Sequence, residues 1–362
     1  MALKAVHVGG QVTEKASPPP VCRYPQGYGF AGARKFVVIG HRGNGMNVVQ
    51  SPDRRLNGFK ENTIRSFNAA AHFLPDFIEF DVQVTKDDCP VIFHDDFILS
   101  QDHDGVVEKK MTELSSAEFL SYGPLLRKAK DGKIARWWVE RDDALCTLQE
   151  ALEKVNPKVG FNIELKFEEH RAYPQEQLRR VLGAVLRVVS QHANDRPILF
   201  STFQPDAALM AKQLQSMYPV FFLTNGGGSE VHSGARDARR GSLEEAVKLC
   251  LEGGLEGIVC EVKGVFKNPA LVNHIKDSNL SLFTYGTLNN VVEAVYMQHI
   301  MGIDGVIVDF VGEISQAVAD MLKDDHHDHD HHHDVRAQNK PNFSPKQLSF
   351  LLNLIPNLIQ PH

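Results

Sequence analysis

The sequence has few of the features that would place it in a membrane or on a nucleic acid. None of its apolar runs approaches the roughly 18–20 residues that a membrane-spanning helix needs. Its 45 acidic residues outnumber its 39 basic residues, and the net charge of −6 argues against a general nucleic-acid binder. Residues 1–20 lack the long apolar core of a secretory signal. Their low content of acidic residues fits an organelle transit peptide or a plain disordered tail.

Cysteine is also scarce, with five scattered residues and no Cys-x-x-Cys spacing. An odd number of scattered cysteines argues for reduced thiols and an intracellular compartment. We expect each of them to be a small, buried apolar residue. A Gly-x-Gly-x-x-Gly motif is missing after the first predicted strand, which weakens the case for an open, doubly wound nucleotide-binding sheet.

What the sequence does contain is a regular alternation of short, apolar, β-rich runs with amphipathic helical segments. Eight strands are predicted, at residues 35–40, 77–84, 161–166, 198–203, 220–223, 257–262, 280–285 and 305–309. Helices are predicted at residues 62–73 (with Asn62 as the N-cap), 175–191, 206–217, 243–251, 269–278 and 291–301. Eight strands that alternate with helices predict an α/β protein with a parallel sheet closed into a TIM (β/α)8 barrel. The open doubly wound sheet is the alternative.

One stretch inside the barrel domain, predicted at residues 35–322, breaks this alternation. A connection between a strand and a helix usually has about 2–6 residues, and the segment at about 86–144 is far longer. We interpret it as an insertion that forms a lid over one mouth of the barrel. Its first residues, 86–90, look like the turn of a hairpin that leads His94 back toward the second strand.

Both ends of the chain lie outside the predicted barrel. Residues 1–34 are rich in Pro and Gly and predict a flexible segment. A predicted disordered linker at residues 323–342 contains a run of His and Asp at 324–334. Residues 343–362 have leucines at helical spacing after a Ser-Pro pair, which predicts a C-terminal amphipathic helix. It either docks on the barrel or touches a membrane surface or a partner.

Polar residues stand at the ends of the predicted strands, where a TIM barrel carries its chemistry. His41 and Arg42 follow the first strand. An arginine fork matches a phosphate group, and a histidine can move a proton near neutral pH. A core histidine paired with a carboxylate would give the same pattern.

Carboxylates recur at two-residue spacing on the next two barrel strands. Glu79 and Asp81 face the same side of the second strand, and Glu164 and Lys166 repeat this spacing on the third. Neighbouring interior carboxylates repel each other unless a cation or a proton lies between them. A hard divalent cation removes the repulsion, and a salt bridge with arginine or lysine is the alternative. Together with His94 as a second proton carrier, these residues suit phosphoryl chemistry.

In order and spacing, these motifs resemble the glycerophosphodiester phosphodiesterase family. The similarity spans residues 36 to about 322 and includes further motifs at Glu61-Asn62-Thr63, Ser201-Thr202-Phe203, Phe283-Thr284-Tyr285 and Gly305-Val306-Ile307-Val308-Asp309. The segment at residues 43–47 and the helix after Ser344 resemble the plant branch of that family.

The resemblance implies a phosphoric diester hydrolase of glycerolipid catabolism and phosphate recycling. The expected reaction releases sn-glycerol 3-phosphate and an alcohol from glycerophosphodiesters. A divalent cation, Mg²⁺ or Ca²⁺, is the implied cofactor. The implied residues are Glu79, Asp81 and Glu164 as metal ligands, His41 and His94 as general base and acid, and Arg42 and Lys166 as phosphate ligands.

Three further candidates for substrate binding have alternative roles. Glu61 either orients His41 or touches the ligand. Phe203 and Tyr285 either line a glycerol pocket or pack in the core.

Two other functions remain open at this point. A related barrel phospholipase, of the lysophospholipase D or phospholipase C type, would use the C-terminal helix on a lipid surface. A non-catalytic metal or phosphate sensor would use the His/Asp run as a metal buffer. The expected partners are small-molecule diesters, with no nucleic acid, no transmembrane segment and weak membrane contact at most. Resemblance to plant relatives favours the plastid, and the weak N-terminal signal favours the cytoplasm.

Overall fold

The computed structural model describes residues 36–129, 131–168, 171–227 and 237–327 of the chain. The predictions for residues 1–34 and 343–362, and for all but the start of the His/Asp run, lie outside the described residues. Within these ranges no helix has both the length and the apolar character needed to cross a membrane.

The described residues form thirteen strands and ten helices. The strands are β1 (Val37–Gly40), β2 (Phe77–Val84), β3 (Pro90–Ile92), β4 (Phe97–Asp102), β5 (Gly105–Lys110), β6 (Leu125–Lys128), β7 (Ile134–Arg136), β8 (Gly160–Leu165), β9 (Ile198–Thr202), β10 (Val220–Thr224), β11 (Gly257–Glu261), β12 (Ser281–Tyr285) and β13 (Gly305–Val308). The helices are α1 (Ile64–Ala71), α2 (Ser116–Ser121), α3 (Leu148–Lys154), α4 (Gln175–His192), α5 (Pro205–Leu214), α6 (Leu243–Gly253), α7 (Val262–Lys267), α8 (Ala270–Asp277), α9 (Val292–Ile300) and α10 (Val311–His327).

Eight of the strands form a closed parallel barrel. They run around the ring in the order β1, β2, β8, β9, β10, β11, β12 and β13, and β13 pairs again with β1. Because every barrel strand has a neighbour on both sides, its backbone hydrogen bonds are made within the ring. The predicted TIM barrel is therefore confirmed, and the open doubly wound sheet is excluded.

The first helix corrects one prediction. It begins at Ile64 and its N-cap is Thr63, whose side chain accepts a hydrogen bond from the backbone N–H of Ser66. Asn62 as the N-cap was wrong, because its backbone is left-handed, with φ of 58°, and its side chain turns toward Asp81.

The interior side chains of the barrel strands are apolar in the lower part of the barrel and polar in the upper part. The lower part of the interior is filled by a cluster of apolar residues, namely Val37, Ile39, Phe77, Leu199, Phe221, Leu223, Val259, Phe283 and Ile307. The rings of Phe221 and Phe283 stack there with centroids 4.9 Å apart. This apolar floor closes the lower part of the barrel, so a solvent-filled site has room only above it.

The insertion between β2 and α3 is a small unit with its own core. Strands β4 to β7 form a four-stranded antiparallel sheet in the order β5, β4, β6 and β7. Its core, formed by residues such as Ile98, Phe119 and Trp137, is separate from the barrel core. The hairpin predicted at residues 86–90 is present, because β3 runs antiparallel to β2 and returns the chain to the mouth of the barrel.

The cysteines of the described residues are free thiols. Cys146, Cys250 and Cys260 are buried in the main core, as predicted, and burial raises the pKa of each thiol. Cys89 is half-buried, and Cys22 lies outside the described residues. The buried thiols are therefore packing residues with little thiolate character.

Candidate active site

The candidate residues lie directly above the apolar floor of the barrel. Because side chains alternate along a strand, a residue two positions beyond a floor residue faces the same interior at a higher level. Four polar residues each lie two positions beyond a floor residue. They are His41 (after Ile39), Glu79 (after Phe77), Tyr285 (after Phe283) and Asp309 (after Ile307). The strands thus bring residues 268 positions apart in the sequence into one polar layer.

Three carboxylates form an acidic cluster in this layer. Asp81 is the cross-strand neighbour of Glu164 in the pairing of β2 with β8, and Glu79 precedes Asp81 by two positions. Each residue offers one oxygen, and these oxygens all lie within 4.8 Å of one another. Three clustered carboxylate oxygens are the donor set of a hard divalent cation.

Glu79 shows most directly that the cluster fits a cation. Its Oε2 accepts a hydrogen bond of 2.9 Å from the backbone N–H of Arg42, whereas its buried Oε1 has no hydrogen-bond partner among the described residues. Burial and the charges of Asp81 and Glu164 raise the pKa of Glu79 to about 8. A cation bound here would satisfy the free oxygen and remove the repulsion.

Asp81 differs from Glu79 because positive groups surround it. Its Oδ2 accepts a hydrogen bond of 2.8 Å from Asn62 and lies 3.4 Å from Nε of Arg42, while Nζ of Lys166 lies 3.7 Å from its Oδ1. Burial raises the pKa of Asp81, but the charges of His94, Arg42 and Lys166 outweigh burial and lower it. These groups therefore favour the ionised form of Asp81, in contrast to Glu79.

His41 is held by a carboxylate from the last barrel strand. Its Nδ1 lies 2.8 Å from Oδ1 of Asp309, and its Nε2 lies 4.0 Å from Oε2 of Glu79. Asn290 and the backbone N–H of Met46 donate hydrogen bonds to Asp309 and fix it in turn. Burial lowers the pKa of His41, but Asp309 outweighs burial and raises it. Because an ionised carboxylate can only accept, Nδ1 carries the proton and Nε2 faces the acidic cluster.

His94 repeats this arrangement at the edge of the insertion. Its Nδ1 lies 2.7 Å from Oδ1 of Asp95, and its ring is about one-third exposed. Burial raises the pKa of Asp95, but His94 and Arg127 lower it, so Asp95 stays ionised. His94 therefore also directs a free Nε2 away from its carboxylate partner.

Arg42 is held from behind by Glu61. Nη1 of Arg42 lies 2.8 Å from Oε1 of Glu61, and the Glu61 side chain is only 1% exposed. The other Glu61 oxygen accepts a hydrogen bond from the backbone N–H of Asn47, and Arg127 donates a second bond to Oε1. Burial raises the pKa of Glu61, but Arg127 and Arg42 lower it to about 2. Both Glu61 oxygens are thus occupied within the protein, and no hydrogen bond joins Glu61 to His41.

An open cleft of about 650 Å³ adjoins His94 and Lys166. The barrel forms one wall with Lys166 and Phe167, and the insertion forms the other with residues that include Leu99 and Arg127. Nζ of Lys166 lies 3.1 Å from Oε1 of Glu164. The cleft therefore opens to the solvent between two separate units of the fold, and Lys166 on its wall contacts the acidic cluster.

Phe203 and Tyr285 pack edge to face on the upper side of the apolar floor, with ring centroids 6.0 Å apart. Both side chains are half-buried. The Tyr285 hydroxyl donates a 2.6 Å hydrogen bond to Asn225. These two rings pack against the core and are only partly buried, so both predicted roles are compatible with their position.

Comparison with known proteins gives the family. The model of the glycerophosphoryl diester phosphodiesterase family matches residues 41–313, which include every polar site residue described above. The chain belongs to this family. Among curated relatives, the chloroplastic glycerophosphodiester phosphodiesterase GDPD1 of Arabidopsis thaliana is 56% identical, over 99% of this chain and 100% of its own length. GDPD2 of the same plant is 58% identical, over 90% of each chain.

Solved structures of phosphodiesterases share the fold. A phosphodiesterase of Oleispira antarctica, solved with the product sn-glycerol 3-phosphate, superposes with a TM-score of 0.55 at 23% identity, over 78% of this chain and 96% of its own. A glycerophosphodiester phosphodiesterase of Parabacteroides distasonis has a TM-score of 0.55 at 19% identity, over 80% and 100% of the two chains. These similarities support the barrel independently of the sequence motifs.

Four residues that support the site had no role in it assigned from sequence. Asp309 and Asp95 anchor the two histidines, Asn62 binds Asp81, and Arg127 contacts Glu61 and Asp95. A signal existed for Asp309, because it follows the apolar residue Ile307 by two positions at the end of a barrel strand. Arg127 gave no such signal, because it lies in the insertion and not on a barrel strand.

Proposed function

We propose that this chain hydrolyses glycerophosphodiesters to sn-glycerol 3-phosphate and an alcohol, with a divalent cation, Mg²⁺ or Ca²⁺, at Glu79, Asp81 and Glu164. Membership of the family makes the chain a phosphodiesterase. The observation that carries the proposal is the pair of Asp-anchored histidines beside one cluster of three carboxylates, two of them buried. This arrangement provides proton transfer and charge neutralisation at the same place.

The histidines supply the proton transfers. Each imidazole has its Nδ1 engaged by an aspartate, so the reactive nitrogen of both is Nε2. One Nε2 removes the proton from the nucleophile, and the other protonates the departing alcohol in an in-line displacement at phosphorus. The nucleophile is either water or the neighbouring glycerol hydroxyl, and the second route passes through a cyclic phosphate.

Arg42 and Lys166 hold the phosphate. Both side chains are cationic, mostly buried and directed at the acidic cluster, so they reach the same region as the proposed cation. When bound, the cation neutralises charge on the non-bridging oxygens of the phosphate. We assign Glu61 to the support of Arg42, because both of its oxygens are already occupied. Phe203 and Tyr285 then form an apolar wall for the glycerol carbons.

The test is a metal-dependent assay for glycerol 3-phosphate release. Purified protein is incubated with glycerophosphocholine, glycerophosphoethanolamine and glycerophosphoglycerol, before and after EDTA treatment and readdition of Mg²⁺ or Ca²⁺. We expect turnover that EDTA abolishes and one of the two ions restores. His41→Ala and His94→Ala should each lower the rate by roughly 10²–10⁴ with the fold kept. His103→Ala is the matched control, because His103 is exposed on the turn between β4 and β5.

Two outcomes would contradict the proposal. Activity that persists after thorough chelation would show that the reaction does not need a cation. Faster turnover on lysophosphatidylcholine or intact lipid vesicles than on the water-soluble diesters would make the chain a barrel phospholipase.

We propose the plastid as the compartment. The support is the chloroplastic relative that aligns with 99% of this chain. Imaging of the full chain fused at its C-terminus to a fluorescent protein in plant cells tests this, and diffuse cytoplasmic fluorescence would contradict it.

A further inference from the structure

Arg127 belongs to the insertion, and its guanidinium reaches both Glu61, which follows β1 at the barrel mouth, and Asp95, at the edge of the insertion. It lies on β6, and its side chain is only 13% exposed. Nη2 of Arg127 is 2.9 Å from Oε1 of Glu61, and Nε is 3.2 Å from Oδ2 of Asp95. One side chain therefore joins two carboxylates that are 34 positions apart in the sequence.

Each of these carboxylates holds one residue of the proposed machinery. Glu61 uses the same Oε1 to bind Nη1 of Arg42 at 2.8 Å. Asp95 binds Nδ1 of His94 at 2.7 Å. The phosphate-binding arginine and one proton-transferring histidine thus share a single support.

The position of Arg127 is itself fixed. Its guanidinium lies over the Trp137 ring, 4.5 Å from the ring centroid. Trp137 donates a 3.0 Å hydrogen bond from its indole to Oδ1 of Asn47, and the backbone N–H of Asn47 donates to Glu61. Stacking and planar bidentate hydrogen bonding are properties of a guanidinium that an ammonium group does not reproduce.

From this geometry we infer that Arg127 is a positioning residue through which the insertion holds Arg42 and His94 in place. The inference rests on the proposed function, because it assigns the two supported residues to phosphate binding and proton transfer. It makes the insertion a structural part of the active site in addition to a wall of the cleft. Arg127 itself has no hydrogen bond or ion pair with Glu79, Asp81 or Glu164 within the described ranges, and the network meets the acidic cluster only through Arg42.

Kinetics of Arg127→Ala and Arg127→Lys test the inference. Misplacement of reacting groups by about 1 Å can cost ~10² in rate, so we expect Arg127→Ala to lower kcat/KM for glycerophosphocholine by about 10²-fold. The loss should divide between a higher KM, from the loosened Arg42, and a lower kcat, from the loosened His94. Arg127→Lys keeps the charge and the aliphatic part of the side chain but loses the planar guanidinium. We therefore expect its kcat/KM to fall by roughly tenfold, less than in Arg127→Ala.

Two further readouts separate positioning from general damage. Guanidinium ion at millimolar concentration should restore part of the activity of Arg127→Ala, because the space above Trp137 is left open. Mg²⁺ affinity, measured by calorimetry, should stay at the wild-type value in both variants. Arg136→Ala is the matched control on the neighbouring strand β7, where Arg136 is exposed, and it should keep full activity.

The outcomes distinguish this inference from the proposed function. If the wild-type protein releases no glycerol 3-phosphate from any diester, the proposed function fails and this inference fails with it. If the wild type is active and Arg127→Lys matches its kcat/KM, only the inference fails. If Arg127→Ala does not fold, Arg127→Lys decides alone. A parallel loss of Mg²⁺ affinity and of thermal stability in Arg127→Lys would also overturn the inference, because it would indicate a structural role.

Discussion

Two aspartates at the mouth of the barrel each determine which nitrogen of a histidine is free. In the pair of His41 and Asp309, Nδ1 contacts a carboxylate oxygen that can only accept a hydrogen bond. In Asp309→Asn the amide can donate to Nδ1, which moves the ring proton to Nε2 and turns the reactive nitrogen into a donor. We expect kcat/KM to fall by roughly 10²–10⁴. Steady-state assays of glycerol 3-phosphate release measure this, with Asp104→Asn on the exposed β4–β5 turn as the control.

The pH profile of the same variant shows which role His41 has. Burial lowers the pKa of His41 and Asp309 raises it, so loss of the Asp309 charge should lower the pKa. The limb of the kcat/KM profile that His41 governs should therefore shift to lower pH. A shift of the acidic limb identifies His41 as the base, and a shift of the alkaline limb identifies it as the acid. A profile with both limbs unmoved would contradict a proton-transfer role for His41.

The raised pKa of Glu79 leads us to expect that cation binding releases a proton. With a pKa of about 8 in the metal-free protein, Glu79 is about nine-tenths protonated at pH 7, and a ligand carboxylate must be ionised. Calorimetric titration with Mg²⁺ or Ca²⁺ in buffers of different ionisation enthalpy should give close to one proton released per ion at pH 7. At pH 9 the number should fall toward zero. Binding without proton release at pH 7 would mean that Glu79 is not a ligand.

The acidic cluster was predictable from sequence because each of its two strands shows a local two-residue spacing of charged residues, Glu79 with Asp81 and Glu164 with Lys166. Glu79 and Asp81 share one strand, and the two-residue period alone places them on one face. The partners of the histidines were not assigned, because their contacts depend on closure of the barrel and on the fold of the insertion. Asn62 was misassigned for a related reason, because asparagine is suited both to a helix N-cap and to a side-chain hydrogen bond with Asp81, and the sequence does not separate the two roles.

At the level of elements, the turn after β1 controls the position of Asp309. Gly45 has φ of 100°, and a Cβ at this position would lie 2.6 Å from the Asp309 carbonyl oxygen. Gly45→Ala should therefore combine backbone strain of ~1–3 kcal/mol with displacement of Asp309 and loss of activity. Gly302 is the control, because its φ is 85° but no heavy atom lies within 4 Å of the Cβ position.

Denaturant unfolding and turnover of both alanine variants test this prediction. We expect Gly302→Ala to lose about 1 kcal/mol of unfolding free energy and to keep its kcat/KM. Equal losses in the two variants, with activity kept in both, would show that the contact at Asp309 is unimportant.

The barrel strands were the most predictable elements. All eight were expected at positions that match the structure within about two residues, because buried parallel strands are continuous apolar runs. Helices α2, α3 and α7 were not predicted, because each has only six or seven residues and shows little helical periodicity. The 17-residue helix α10 was also not predicted, and it extends to His327, so the start of the predicted disordered linker at residues 323–342 is helical. The insertion strands β4 to β7 were also not predicted, since their half-exposed, charged sequences show no such run.

At the scale of the whole molecule, the barrel and insertion contain all the site residues found in the described part of the chain. Every polar residue described in it lies between His41 and Asp309. Deletion of residues 328–334, most of the His/Asp run, should therefore leave kcat and KM for glycerophosphocholine within about twofold of wild type. The same assay as above checks this. A large fall in kcat that added Mg²⁺ reverses would instead support a metal-buffering role for the run.

The unpaired Oε1 of Glu79 has a consequence for heat resistance. Burial and neighbouring charges raise its pKa from 4.5 to about 8, so the metal-free fold loses stability as the pH rises from about 4.5 through about 8. Glu79→Gln removes this loss, and its Tm without cation should exceed that of the wild type by a few degrees at pH 8 and match it near pH 4. Saturating cation should reverse the order at pH 8. Differential scanning calorimetry at pH 8 would then show that the inactive variant unfolds at a higher temperature than the wild type until the cation is added.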